Sequence, residues 1–307
     1  VAIYLQAIVQ KKPVSYNAHL TLNGMSLMKP MVSNNALEAP LLSVEEKAHY
    51  YLVQGQTELA KKKLQEALRC FQIATELTPE NPRIFFEQGL SLFDFGMQPG
   101  EEKVLLLANK QFKLATALDP DYFEAWQLWG MSLAFLGRVY NESHYFLEAE
   151  KKLIQALALA QEKDKDHLFD LYFEYGMVKS FLAKRTEEPI DWQASIQAFE
   201  TASQYKGMAT PLFWDAFGSS YLALTLLLGD MKWCVKAIHC FKQAIVLDTL
   251  YSEAWEHLSH ALLYLYESTQ DEDHFFQITE CFTARAQHFP LEIDLWLSWA
   301  EFLLQSA

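Results

Sequence analysis

His257 and His260 stand three residues apart, a spacing that puts two imidazoles on one face of a helix and could begin a metal site. No third ligand follows at a helical spacing, so the pair reads first as ordinary helix surface. The acidic run Asp271-Glu272-Asp273-His274 lacks the mid-loop glycine and terminal glutamate of a calcium loop. It reads instead as a solvated turn whose charge favours the N-terminus of the next helix. Cys70, Cys234, Cys240 and Cys281 form no C-x2-C spacing. Cys70, Cys240 and Cys281 each immediately precede a phenylalanine, which marks a small apolar packing position and free thiols in a reducing, cytoplasmic setting. Asn141-Glu142-Ser143 fits a glycosylation sequon, which has no bearing without a secretory signal. No phosphate-cradling glycine loop, nucleophile elbow or zinc-protease helix motif occurs. No catalytic residue, metal or cofactor is therefore expected, and an enzyme is the weaker reading.

What the chain does repeat is a packing device. In "EAWQLWGMSLAFLG" (124–137), Trp126 and Trp129 precede Gly130, although a glycine inside a helix costs about 1 kcal/mol relative to alanine. Large aromatics beside a residue with no side chain point to a close helix–helix contact. Tyr51, Phe85, Trp126, Tyr172, Trp214, Trp255 and Trp296 each stand four residues before a small residue, at 55, 89, 130, 176, 218, 259 and 300. The spacings are 34, 41, 46, 42, 41 and 41, and five of the eleven glycines fill this slot. Such a period means stacked supersecondary units.

Each slot is followed by a second signature. Ala67, Phe71, Ala74, Leu77 and Pro79 recur as Ala108, Phe112, Ala115, Leu118 and Pro120. Ala149, Leu153, Ala156 and Leu159 follow the same steps, as do Ala237, Phe241, Ala244 and Leu247. Steps of four, three and three share one helical face, and proline then stops the helix. The marks resemble the tetratricopeptide repeat (TPR) pattern W-x2-L-G-x2-Y, A-x3-F and a closing P. The resemblance implies an all-α, right-handed superhelical solenoid of antiparallel helix pairs over 44–307. It covers six repeats and the first helix of a seventh, after a non-repeat segment, 1–43. Ser195, Ile278 and Arg285 stand in alanine slots, where the contacts should be looser or reshaped.

The 41-residue period inserts seven residues between glycine and alanine slots, close to two helical turns, so the faces stay in phase. Leu105, Phe146, Trp192, Cys234 and Phe275 lie three before the alanine slots and should extend the core. Trp126, Trp214 and Trp255 should be largely buried. Ser43 with Glu46 reads as a capping box, Thr210-Pro211 and Pro189 as helix starts, and 162–168 as a solvated connector.

The first 37 residues carry Lys11, Lys12 and Lys29 and no acid. Asn23-Gly24 is a hairpin signal, although a lone hairpin is marginal, so this stretch is either a docked hairpin or irregular. The segment is expected to pack on the array, either capping the first repeat or lying in the groove as a self-ligand. "VAIYLQAIV" reads as neither a membrane span nor a secretory leader.

The formal charge of −14 concentrates toward the C-terminus, where 211–307 holds 4 basic and 13 acidic residues. That excludes a phosphate-backbone stripe, so nucleic acid is not an expected partner. No apolar run reaches the roughly 18 residues of a span, so membrane insertion is not expected either.

In TPR proteins the concave face is lined one, five and eight positions after the core aromatic. Carried onto this sequence, the resemblance implies a groove containing Phe86, Leu90, Phe93, Gln127, Met131, Phe173, Met177, Asp215, Ser219, Glu256 and His260. The apolar members either form an open binding surface or pack between adjacent helices. The Lys and Asn of chaperone-tail clamps and the groove asparagines of peroxisomal receptors are absent. The implied function is an interaction scaffold or adaptor, with a chaperone-like role as one form of it, for a protein or peptide that is apolar with some basic residues. The alternative is a regulatory or targeting module of a larger enzyme or secretion assembly.

Overall fold

A computed structural model describes residues 42–160, 165–205 and 209–305. The expectations for the N-terminal segment fall on residues 1–41, outside the described residues. Thirteen α-helices and one 3-10 turn, with no strand, make up the regular structure among the described residues. They divide into two compact units, one within 42–160 and one within 165–305.

In the first unit α1 (Val44–Ala60) pairs with α2 (Leu64–Leu77), and α3 (Pro82–Gly96) with α4 (Leu105–Leu118). There α5 (Phe123–Tyr140) also pairs with α6 (Ser143–Leu159). In the second, α7 (Lys165–Thr186) pairs with α8 (Pro189–Ala202), and α9 (Pro211–Leu228) with α10 (Met231–Leu247). Next, α11 (Ser252–Thr269) pairs with α12 (Glu272–His288), on which α13 (Ile293–Gln305) packs. The starts are those the sequence marks. Ser43 and Glu46 complete a reciprocal capping box, Thr210 accepts from the Phe213 amide, and Pro189 opens α8. Asp271 caps α12, so the acidic run is a helix start. The connector is shorter than expected, since Lys165–Leu168 already belongs to α7.

The hairpins close where glycine meets a ring. A Cβ placed at Gly218 would stand 2.6 Å from the Phe241 ring, and one at Gly89 2.7 Å from the Phe112 ring. Phe71, Phe112, Phe199, Phe241 and Phe282 are fully buried, so these rings have no room to yield. The added turns repeat the device. Gly96 meets Leu105 and Gly137 meets Phe146, each seven residues beyond the main slot. Leu105, Phe146, Trp192 and Cys234 are buried and Phe275 is half-buried.

Two of the three departures from the pattern are compensated by polar bonds, and the third, Ile278, is fully buried. Ser195 Oγ donates to the Gly176 carbonyl at 2.9 Å and meets Ser220 Oγ at 3.1 Å. In the sixth repeat Ser259 fills the glycine slot and Arg285 the alanine slot. The guanidinium, 3% exposed, reaches Ser259 Oγ and makes a two-point bond to Glu292 at 3.1 and 2.9 Å.

The tryptophans differ from expectation. Trp255 is buried, whereas Trp126 and Trp214 are only half-buried. The deepest position belongs to the second-helix ring. Indole Nε1 of Trp126, Trp255 and Trp296 donates at 2.9 Å to the carbonyl six residues earlier, on Pro120, Thr249 and Pro290. Each thereby clasps the turn that delivers its helix. Trp255→Phe should keep the packing and lose the bond, lowering stability by about 1 kcal/mol in urea unfolding. An unchanged midpoint would show that the clasp contributes nothing.

Among the described residues one helix, Pro211–Leu228, has the length and composition of a membrane span, although the sequence shows no unbroken apolar run of that length. Here it is a core element, 56% buried.

Candidate partner-binding face

The first-helix positions of the 42–160 unit do not form the open apolar surface considered above. Phe86, Phe93, Gln127 and Met131 are buried, and Leu90 is half-buried. Phe86 stacks at 4.8 Å on Tyr122 and 6.2 Å from Phe112, so it joins one hairpin to the start of the next first helix. Large side chains one and eight positions after the aromatic gain more by filling the space between neighbouring helices than by facing water. Next to these positions, on α3, Asp94 is exposed. Its side chain reaches solvent, yet protein surrounds it closely enough that desolvation lifts the carboxyl to about 6.

Because the folded carboxyl binds its proton more tightly than the unfolded one, stability should rise as pH falls through about 6 toward 4. Asp94→Asn should therefore raise the melting temperature at pH 7 and leave it unchanged at pH 4. Equal shifts at both pH values would show that ionisation is not the cause.

In the 165–305 unit the same positions change character along the chain. Phe173 and Met177 are buried, with Phe173 5.7 Å from Phe213 and 6.1 Å from Phe199. The next two first helices carry polar groups instead. Asp215, on α9, is 6% exposed and accepts a 2.7 Å hydrogen bond from Nδ1–H of His257 on α11. An ionised carboxylate only accepts, so Nδ1 holds the proton. Burial pushes the His257 pKa down, but the charge and hydrogen bond of Asp215 outweigh it, and the net direction is up. Ser219, Glu256 and His260 are half-buried.

His260 behaves oppositely. Burial, with His257 and Arg285 adding to it, drives its pKa to about 3, and its buried Nδ1 has no hydrogen-bond partner. Lys184, near the end of α7, is exposed at its surface yet closely surrounded by protein, and that desolvation lowers it against the opposing pull of Asp215. At the start of α7, burial and then the Glu174 charge raise Asp170, with His167 opposing.

The expected site residues Asp215, Ser219, Glu256 and His260 thus share the α9–α11 first-helix surface. Lys184 and His257 belong with them; the sequence reading passed over Lys184 and took His257 only as half of a possible metal pair. The missed signal was that Asp215 and His257 stand one and two places after Trp214 and Trp255, so helix geometry turns them toward one another across the repeat.

The pair can hold charge and orient a hydrogen bond. Among the described residues no three His, Cys, Asp or Glu side chains converge as a metal site.

Comparison with known proteins supports the fold. The chain is similar in structure to YrrB, described as a TPR protein with an unusual peptide-binding site (TM-score 0.52, 16% identity, 75% of this chain and 97% of that one). It is also similar to PilW, described as a widely conserved type IV pilus biogenesis factor (TM-score 0.50, 14% identity, 82% and 98%). A MamA RS-1 double mutant matches with TM-score 0.50 at 17% identity over 67% and 97% of the two chains. No protein-family model matches the chain, and no curated protein matches it by sequence. The fold is TPR-like, an all-α stack of helix hairpins.

Proposed function

We propose that this protein is a non-catalytic interaction scaffold that holds an apolar segment with basic residues from a partner protein. The binding face is the first-helix surface of α9 and α11, around Asp215, Ser219, Glu256 and His260. The observation that carries this reading is the pair of buried Asp215 and half-buried His257, with Lys184 near it and an unsatisfied nitrogen on His260. Polar groups held there, where α3 places Phe86 and Leu90, cost burial energy that a partner's donors would offset. The acidic balance of 211–307 favours a basic partner.

YrrB binds peptide on the same fold, which supports the class of ligand. Free Cys70, Cys234, Cys240 and Cys281 suit a reducing, cytoplasmic setting. A chaperone-like role, or service as a targeting module of a larger assembly, would use the same face, and the identity of the partner separates them.

The test is recovery of partners from lysate by the native chain and by Ser219→Arg and Glu256→Lys, read by mass spectrometry. Both positions are partly accessible, so circular dichroism should show intact folds. Partners recovered by the native chain should be lost from both variants. Unchanged recovery would move the binding face elsewhere.

A further inference from the structure

The second helices of the 42–160 unit carry a surface of their own, independent of the α9–α11 face. In α2, α4 and α6 a large side chain, Phe71, Phe112 or Leu153, points at the glycine of the paired first helix. A residue two places earlier lies about 200° around the helix, so it leaves on the outer side. Those residues are Arg69, Lys110 and Lys151, spaced 41 apart and all exposed.

Aliphatic side chains flank these cations. Leu106 and Leu147, four residues before Lys110 and Lys151, are 46% and 49% exposed. Ile73 and Leu114, four residues after Arg69 and Lys110, are exposed too, as is Ile154, three after Lys151. Steps of three and four keep them within about 60° of the cations, so basic and apolar groups share one face. Single exposed aliphatics are ordinary, but these recur at equivalent repeat positions.

The middle helix, α4, concentrates the charge. Of the six helices of this unit it alone has lysines and no acid. Lys110 and Lys113 are exposed and make no ion pair among the described residues, whereas Lys151 is held by Glu148 at 2.6 Å. The hairpins α1–α2 and α5–α6 stand on either side, so the exposure of the outer side of α4 does not depend on how many repeats the array holds.

Charge and side-chain type narrow the occupant. An acid-free face with lysines at 110 and 113 favours carboxylates. The acid-free segment 1–37 has the wrong sign for it. A lipid surface is disfavoured, because α4 exposes none of the Trp or Phe that anchors interfacial helices, and the formal charge of −14 opposes an anionic bilayer.

We propose that the outer face of α4 docks an acidic amphipathic helix of a partner protein. Its apolar stripe covers Leu106 and Leu114, and its carboxylates meet Lys110 and Lys113. Leu147 and Ile154 of α6 extend the apolar part. This ligand is opposite in sign to the one proposed for α9–α11, so the two faces sort partners by charge.

The probe is a fluorescein-labelled synthetic helix of about 18 residues, with Leu at i, i+3, i+4 and i+7 and Glu on either side of that stripe. It is titrated with the whole protein and followed by anisotropy. Saturable binding is expected, weakened at least about tenfold by Leu106→Asp or by Lys110→Glu with Lys113→Glu. Salt should weaken it as well. The same peptide with Lys in place of Glu should not respond to these substitutions. All three positions are exposed, and melting curves of the variants should match the native one.

Absence of saturable binding overturns the proposal, and so does binding indifferent to the α4 substitutions. An equal response of the Lys peptide would overturn the acidic character of the ligand. Flotation with vesicles of about 3:1 phosphatidylcholine and phosphatidylserine, abolished by the same substitutions, would make a membrane the occupant. A native dimer that Leu106→Asp makes monomeric would make it a second copy. Either result would overturn the proposal.

Discussion

Phe241→Ala is expected to lower stability by about 3–5 kcal/mol. The ring is fully buried and fills the space left by Gly218, where even a Cβ would stand 2.6 Å from it. Removing the ring leaves a cavity between α9 and α10 that the helices cannot close without breaking contacts on both neighbours. Gly218→Ala attacks the same contact from the other side. Overpacking should cost about 1–3 kcal/mol, offset by about 1 kcal/mol of helix propensity, so its net effect is smaller. Combined with Phe241→Leu, Gly218→Ala should cost less than the sum of the two, because leucine is narrower at the contact. Leu153 already faces Gly130 in this way. Urea unfolding followed by circular dichroism measures all three. A loss below about 1 kcal/mol for Phe241→Ala would remove the ring–glycine contact as the device that closes the hairpins.

Glu292→Gln should be the second large effect, a loss of about 2–3 kcal/mol, because it leaves the Arg285 guanidinium buried without its counter-charge. The figure is set below the cost of breaking a wholly buried pair, since Glu292 is itself partly exposed. Arg285→Met removes the charge while keeping much of the volume, and should be close to neutral. The double substitution should then recover most of what Glu292→Gln loses, giving a coupling of about 1.5–3 kcal/mol in a double-mutant cycle. Equal losses for Arg285→Met and Glu292→Gln would point to packing, and not to an unpaired charge, as the origin.

Most of the architecture was legible because it rests on local rules. Seven aromatic–small pairs at 34 to 46 residue spacings and the four-three-three steps after them required helix hairpins. Proline and the Ser43 and Thr210 caps marked their ends. Helical phase also identified Leu105, Phe146, Trp192 and Cys234 as core, since seven residues return a side chain to nearly the same face.

Which side of a first helix stays open was not legible in that way. Phe86 and Met131 share their repeat positions with Asp215 and Ser219, yet the first two are buried as packing and the others border a polar surface. Periodicity fixes the direction in which a side chain leaves its helix. It does not fix how closely the neighbouring helix approaches, and that separation decides between core and groove.

The depth of the tryptophans was decided in the same manner. Their pattern names a packing residue, and the bonds of Trp126, Trp255 and Trp296 to the turn carbonyls of Pro120, Thr249 and Pro290 appear only in the folded chain. The pairings Asp215–His257 and Arg285–Ser259–Glu292 likewise join residues whose spacing carries no motif. The sequence by itself determined the hairpin unit, its period and its charge, because these depend on residue order along a helix. The tertiary structure alone decided which faces close and which polar groups meet, because those depend on distances between helices.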